Sequence, residues 1–204
     1  MKTIELYIDE ENEFSGIEAI SVVENPAIEE EFIALKKQAI KLAQVDKEKR
    51  ILMGAALVPN KKIYRSNGKD EYNIFFSEAT VRKASELFLS RGKQNNSTLE
   101  HEVKLSGLSV VESWIIEDKK KDKSRKYGFS LPIGTWMVSV KVNNDEIWND
   151  FVKEGKVKGF SIEGFFADKL DEGPAEGAEK DFSELEALSI IEKLTDALIT
   201  DKNV

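Results

Sequence analysis

The sequence has no cysteine and a single histidine, His101, among its 204 residues. Without cysteine there can be no disulfide, no thiolate metal ligand and no cysteine nucleophile, and this composition suits a reducing compartment. Zinc sites use several histidine or cysteine ligands, so one imidazole all but excludes a zinc centre. No spaced series of aspartates indicates a calcium or magnesium loop. We therefore expect no cofactor.

Long apolar runs and an excess of positive charge are also missing. No apolar stretch approaches the roughly 20 residues that span a bilayer. The first residues, MKTIELYIDEENEF, become acidic at once and lack the apolar core of a signal peptide. The formal net charge is −8, from 30 basic and 38 acidic residues, which is unfavourable for nucleic acid and for anionic membranes. These features predict a cytosolic protein that binds neither.

Hydrophobic patterning predicts a mostly β protein with a few helices. Strands are predicted over 3–8, 15–28, 51–60, 97–105, 108–118, 134–142 and 158–166, with a further hairpin around Asn67-Gly68. Helices are predicted over 29–50, 77–92 and 143–155, and the charged segment 119–128 is predicted to be a mobile loop. Strands and helices are mixed without strict alternation, which indicates the α+β class with a barrel or a sandwich.

The composition changes near residue 168. Residues 168–181, DKLDEGPAEGAEKD, are acidic and rich in glycine, proline and alanine, as is typical of flexible linkers. Residues 182–204 carry leucine and isoleucine at helical spacing and predict an amphipathic helix that needs a partner surface. We therefore predict a compact domain over residues 1–167, a linker over 168–181 and a C-terminal helix over 182–204.

One polar residue interrupts the apolar segment KGFSIEGFF, residues 158–166. This is Ser161, with Gly159 and Gly164 close on either side. Small residues relieve crowding in a twisted strand. Alternatively, the hydroxyl is a nucleophile and the glycines leave room for a substrate backbone.

A nucleophilic serine needs a base within hydrogen-bonding reach, and an imidazole is suited to that role near neutral pH. His101 lies 60 residues before Ser161, inside the predicted strand 97–105. The two side chains would therefore meet only through strand pairing. The alternative is that His101 is a half-exposed strand residue between two glutamates, with no chemical role.

Three separated segments carry a family resemblance. TLEHE (98–102) and KGFSIEGFF, with the spacing between them, resemble the prohead maturation proteases of tailed bacteriophages, which share a fold with the herpesvirus assemblins. AISVVENPAI (19–28) resembles that family's E-I-S-L-V-x-x-P-A segment, which follows the serine strand in most members but precedes it here. The resemblance covers roughly residues 4–167 and indicates a circularly permuted branch. It implies a herpesvirus-protease-like barrel with a few flanking helices and a C-terminal helical tail.

The resemblance also implies the roles of the site residues. Ser161 would be the nucleophile and His101 the general base of a serine endopeptidase. An acid that orients the base often opens the E-I-S-L-V segment, but this chain has Ala19 there. We take Glu18 as the candidate, which requires a bulge to turn its side chain, and Glu112 as its alternative. Three further glutamates remain open: Glu100, Glu102 and Glu163.

The implied substrates are the major capsid protein, the scaffold and the protease itself. Cleavage would take place inside an assembling procapsid in the host cytoplasm, and the enzyme would be a homo-oligomer. A non-catalytic capsid-assembly or scaffold protein on the same fold is the main alternative. A small-molecule hydrolase is less well supported, because the sequence has no G-x-S-x-G elbow.

Overall fold

The computed structural model describes residues 2–27, 33–35, 49–66 and 68–169, which lie within a compact unit spanning residues 1–170. These residues form one α-helix, α1 (Glu78–Ser90), and three short helical segments at Lys93–Asn95, Lys123–Tyr127 and Ile147–Val152. Their strands are β1 (Lys2–Tyr7), β2 (Gly16–Val23), β3 (Ile33–Leu35), β4 (Ile51–Leu57), β5 (Ile63–Ser66), β6 (Glu71–Phe76), β7 (Ser97–Leu99), β8 (Val103–Leu105), β9 (Leu108–Ile115), β10 (Trp136–Val142), β11 (Gly159–Phe165) and β12 (Ala167–Lys169).

The strands form three four-stranded sheets. Their orders are β12-β1-β6-β5, β3-β4-β10-β9 and β11-β2-β7-β8. The mostly β prediction is confirmed, but the predicted barrel is not closed within the described part of the chain. The backbone hydrogen bonds between strands stop at the edges of the three sheets. Side chains from all three sheets pack together in one hydrophobic core.

Helix α1 agrees with its sequence signals. Ser77 is the N-cap, and its hydroxyl accepts a hydrogen bond from the backbone N–H of Thr80 at 3.4 Å. Val81, Ala84 and Phe88 are completely buried on one face. Phe88 packs edge-to-face on Trp136 of β10, with ring centroids 5.5 Å apart. The helix therefore joins the core through the face that its periodicity predicts.

The predicted strand over 97–105 is divided by a tight turn. Residues 97–99 and 103–105 form β7 and β8, which pair antiparallel as a hairpin. Glu100 and His101 between them have φ angles of 51° and 61°. A left-handed backbone cannot continue a strand, so His101 lies in a turn and not on a strand as predicted.

The structure describes only part of some other segments for which the sequence makes predictions. Within the predicted helix 29–50, Ile33–Leu35 instead forms a strand that pairs antiparallel with β4, because the ladder with β4 overrides the helical periodicity. Residues 28–32 and 36–48 lie outside the described residues, as do most of the predicted linker and all of the C-terminal helix.

Two further differences concern the loop over 119–128 and the domain boundary. The loop contains a helical turn, because Asp122 caps its start and Arg125 binds the carbonyl oxygens of Phe129 and Leu131. The compact unit extends beyond residue 167, because β12 pairs with β1. In the ranges that the structure describes, no helix is long and apolar enough to cross a membrane.

Candidate active site

The register between β11 and β2 determines which side chains can meet. The strands are antiparallel, with Ser161 opposite Ser21 and Glu163 opposite Ala19. Residues two apart on a strand share a face, and directly opposed residues point to the same side. Ser161, Glu163, Ser21 and Ala19 therefore lie together on one face of the sheet.

The opposite face of the same two strands belongs to the hydrophobic core. Phe160 on β11 and Ile20 and Val22 on β2 are at most 1% exposed and lie in the main core cluster. Their burial fixes which face points inward, because a shift of one residue would turn every side chain over. Ser161 and Glu163 are thus held on the face turned away from the core.

Strand β7 is the third strand that contributes to the site, after β11 and β2. It runs parallel to β2 and places Thr98 opposite Ser21. Thr98 therefore lies on the same face as Ser161, one strand farther along the sheet. The left-handed turn that carries His101 follows directly after β7, so the His101 side chain lies beside this face.

A buried serine holds that turn in place. Ser21 is completely buried, and its hydroxyl oxygen accepts the backbone N–H of His101 at 3.0 Å and donates to the carbonyl of Thr98 at 3.3 Å. The Glu100 carboxylate accepts the backbone N–H of Glu24 at 2.6 Å. Two successive non-glycine residues in the left-handed region cost roughly 1–2 kcal/mol each, and these hydrogen bonds offset that cost.

The imidazole of His101 contacts a carboxylate. Its Nδ1 lies 3.2 Å from Oε1 of Glu163, and the hydroxyl of Thr98 donates to the same oxygen. Glu163 starts on β11 and reaches β7 by crossing over β2, where the opposing residue is Ala19. A methyl group there leaves room for the crossing. The side chain of Glu163 thus lies beside Ala19. At the position of Ala19, the prohead maturation proteases that this sequence resembles often have a glutamate.

This contact has a chemical consequence for the imidazole. A carboxylate accepts hydrogen bonds and cannot donate them, so it favours the form of His101 with a proton on Nδ1. In the neutral ring the lone pair is then on Nε2, the nitrogen that must take a proton from a serine nucleophile. Ser161 is 8% exposed. Ser161 and Glu163 lie on this face, and the imidazole of His101 contacts Glu163 from the turn that follows β7.

The two acids favoured from the sequence lie elsewhere. The register shift between β11 and β2 falls at Glu18, so the required bulge is present, but this carboxylate forms an ion pair with Lys93. Glu112 lies on β9 in another sheet, where it accepts hydrogen bonds from Lys123 and from Ser139. Among the glutamates left open, Glu163 is the one in contact with the imidazole.

Gly164, one of the two glycines near Ser161, is explained by the close approach of two strands. A Cβ atom at this position would lie 2.1 Å from the carbonyl oxygen of Gly16 and 2.8 Å from Cα of Ile17. No side chain fits in that space, since β11 and β2 approach closely where the bulge begins. This glycine is therefore required for strand pairing, whatever its effect on access to Ser161.

Sequence reasoning missed Ser21 and Thr98. Ser21 had a detectable signal, since it is the one hydroxyl in the apolar strand GIEAISVV. Thr98 had none, because threonine is common in strands. No group of three or more histidine, aspartate or glutamate side chains in the described part of the chain is arranged to hold a metal ion.

Comparison with known proteins gives one match. A family model described as "Putative phage serine protease XkdF" matches residues 39–171, which is more than half of the chain. The matched segment contains His101, Ser161 and Glu163. No curated protein and no solved structure matches.

Replacing Ser21 tests the tether of the histidine turn. Ser21→Ala removes the acceptor of the partly buried hydrogen bond from the His101 N–H, so we expect the free energy of unfolding to fall by about 1 kcal/mol. Denaturant titration measures this loss, and the imidazole NMR signals of His101 should shift. Ser90→Ala removes an exposed helix hydroxyl and serves as the control. Unchanged stability and unchanged imidazole signals would contradict the tether.

Glu112 should contribute to stability in a pH-dependent way. Hydrogen bonds from Lys123 and Ser139 hold the pKa of its carboxyl below the usual value. The resulting stabilisation is complete above the ordinary glutamate value of about 4.3 and is lost as the pH falls through the lower value in the folded protein. Because the Glu112 side chain is 45% exposed, solvent screening limits the contribution to below about 1 kcal/mol.

Glu112→Gln should therefore be less stable than the parent protein at pH 7. The difference should shrink as the pH falls through the lowered pKa of Glu112, because the protonated carboxyl is then uncharged like the amide. Denaturant titrations of both proteins at several pH values measure it. A stability difference that stays the same from pH 7 to pH 3 would exclude the charge of Glu112 as its source.

Proposed function

Because the chain belongs to this family of phage serine proteases, we propose that it is an endopeptidase with Ser161 as nucleophile, His101 as general base and Glu163 as the acid that orients the base. The observation that carries the proposal is the contact of 3.2 Å between Nδ1 of His101 and Oε1 of Glu163. It lies on the sheet face that also bears Ser161. The family gives the reaction class, and this contact supports the choice of His101 and Glu163.

In the proposed acylation step, Nε2 of His101 removes the proton from the hydroxyl of Ser161 while Oγ attacks the peptide carbonyl carbon. The resulting tetrahedral intermediate collapses when the C–N bond breaks. His101 returns its proton to the leaving amine, so the new N-terminus departs uncharged at that moment. The serine is then esterified by the acyl half of the substrate.

Deacylation repeats the proton transfers with water in place of the serine. His101 takes a proton from water, the hydroxide attacks the ester, and the proton returns to Oγ of Ser161. During both steps the imidazole becomes positively charged. The carboxylate of Glu163 stabilises that charge and keeps Nε2 directed at the serine, while Thr98 holds the carboxylate through its hydroxyl.

The proposed substrates are the major capsid protein, the scaffold and the protease itself, cleaved inside an assembling procapsid in the host cytoplasm. The resemblance to prohead maturation proteases supports this choice, as does the phage origin stated for the matched family. We also propose that the enzyme acts as a homo-oligomer.

Ser161→Ala should abolish cleavage. A serine protease that loses its nucleophile loses about three or more orders of magnitude in rate. Co-expression with the major capsid protein of the same phage, followed by intact-mass spectrometry, should show shortened products only with the parent enzyme. Ser109→Ala, on β9 in another sheet, is the matched control. Equal cleavage by Ser161→Ala would rule out this nucleophile.

Glu163→Gln should separate orientation of the base from folding. The amide can still accept a hydrogen bond but cannot stabilise the imidazolium, so we expect kcat to fall on the order of 10²- to 10⁴-fold with a smaller change in KM. Steady-state kinetics on a cleaved peptide measure both constants. Glu102→Gln makes the same change at an exposed position in the histidine turn and should leave kcat unaltered. If both variants behave alike, Glu163 has no special role.

A further inference from the structure

A small cavity adjoins the proposed nucleophile. Its volume is about 160 Å³, and Ser161 is among the residues that line it. Its walls are mainly apolar and come from several strands: Leu6, Leu57, Ile63, Phe76, Ile162 and Phe166. The cavity lies between β11 and the two other sheets, where the barrel is not closed.

The cavity runs along the edge of β11. Ser161 and its neighbour Ile162 both line it, although consecutive side chains on a strand point to opposite faces. Gly164, two residues farther along, lines it as well. Only a space beside the strand edge touches residues from both faces. The other edge of β11 is paired with β2, so the cavity lies along the edge where β11 has no strand partner in its sheet.

The size and lining of the cavity determine what it can hold. A protein cavity of about 150 Å³ lined by leucine, isoleucine and phenylalanine accommodates a benzene molecule and remains dry. This cavity is of similar volume and lining, so it fits one phenylalanine, leucine or methionine side chain. Arg65 also lines the cavity and would repel a lysine or arginine side chain, and burying such a side chain among the apolar walls would be strongly unfavourable.

We propose that this cavity is the specificity pocket for the substrate residue that supplies the scissile carbonyl. The proposal rests on the proposed function, since it needs Ser161 to attack that carbonyl. The Cα atom of that residue is bonded directly to the attacked carbon, so its side chain is held closest to Ser161. The enzyme therefore cleaves after large apolar residues and rejects lysine and arginine at that position.

Two small side chains keep the cavity open. Ala56 on β4 is buried in its wall, and Ala27 is half-buried in the lining that follows β2. A larger side chain at either position would occupy part of the space that the substrate needs. Position 27 is the better site for a test, because the added atoms are less constrained by the core.

The first experiment digests a mixture of protein-derived peptides with the full-length chain and identifies the new C-termini by mass spectrometry. Phenylalanine, leucine and methionine should be enriched there about tenfold or more over lysine and arginine. New C-termini with no apolar preference, or with a charged preference, would overturn the pocket assignment.

The second experiment narrows the cavity. Ala27→Leu should lower kcat/KM for peptides with phenylalanine at the cleaved position about tenfold or more relative to peptides with alanine. Ala167→Leu adds the same atoms at a half-buried position outside the cavity lining and should leave the ratio unchanged. Ala56→Val provides a second narrowing variant if Ala27→Leu does not fold. An unchanged ratio in a folded narrowing variant would contradict the proposal.

A covalent probe separates failure of the pocket from failure of the enzyme. A fluorophosphonate should label Ser161 in the parent protein, in Ala27→Leu and in Ala167→Leu, with peptide mapping to locate the adduct. Labelling without apolar preference refutes the pocket alone. If Ser161 is not labelled and no peptide is cleaved, the proposed function fails, and the pocket with it.

Discussion

The register between β2 and β11 is the constraint on which the site depends. It places Ser161 opposite Ser21 and Glu163 opposite Ala19. The core enforces it from the other face, where Phe160, Ile20 and Val22 are buried. A slip of β11 by one residue would turn Glu163 into the core and Phe160 out of it, and the cost of an unpaired buried charge excludes that alternative. Hydrophobic packing thus sets the position of the polar groups.

The bulge at Glu18 keeps the apolar side chains of β2 directed into the core. Ile17 and Ile20 are separated by three residues, which in a regular strand would direct them to opposite faces. The extra residue lets both enter the main core cluster. It also leaves Glu18 outside the regular alternation, where it meets Lys93. The strand therefore keeps its apolar face continuous while the opposite face carries Ala19 and Ser21 for the site.

Much of this fold was predictable from local signals. The alternating strands and helix α1 follow from periodicity and from capping by Ser77. Asn67-Gly68 correctly marked the hairpin of β5 and β6. The α1 prediction succeeded because its capping residue and its apolar face lie within one short segment. Where the signals are local and consistent, sequence alone is sufficient.

The site was predictable only in part, for a physical reason. Ser161 and Glu163 share a face by the two-residue period, which the sequence shows. The crossing of Glu163 over Ala19 to reach His101 depends on which strand lies between β11 and β7, and no local pattern encodes that order. The left-handed turn was equally hidden, because Glu100 is not a residue type that marks such a backbone. Its stability comes from Ser21, 80 residues away in sequence.

The strand order also bears on how the site relates to the matched family segment. That segment spans residues 39–171 and includes Ser161, His101 and Glu163. Strand β2 lies before it, yet β2 is the strand between β11 and β7 and carries the hydroxyl that holds the histidine turn. Without β2, the serine strand β11 and the strand β7 that precedes the histidine turn would have no common hydrogen-bonded neighbour. The matched segment therefore contains the proposed reacting groups, while β2, which lies before it, fixes the spacing between them.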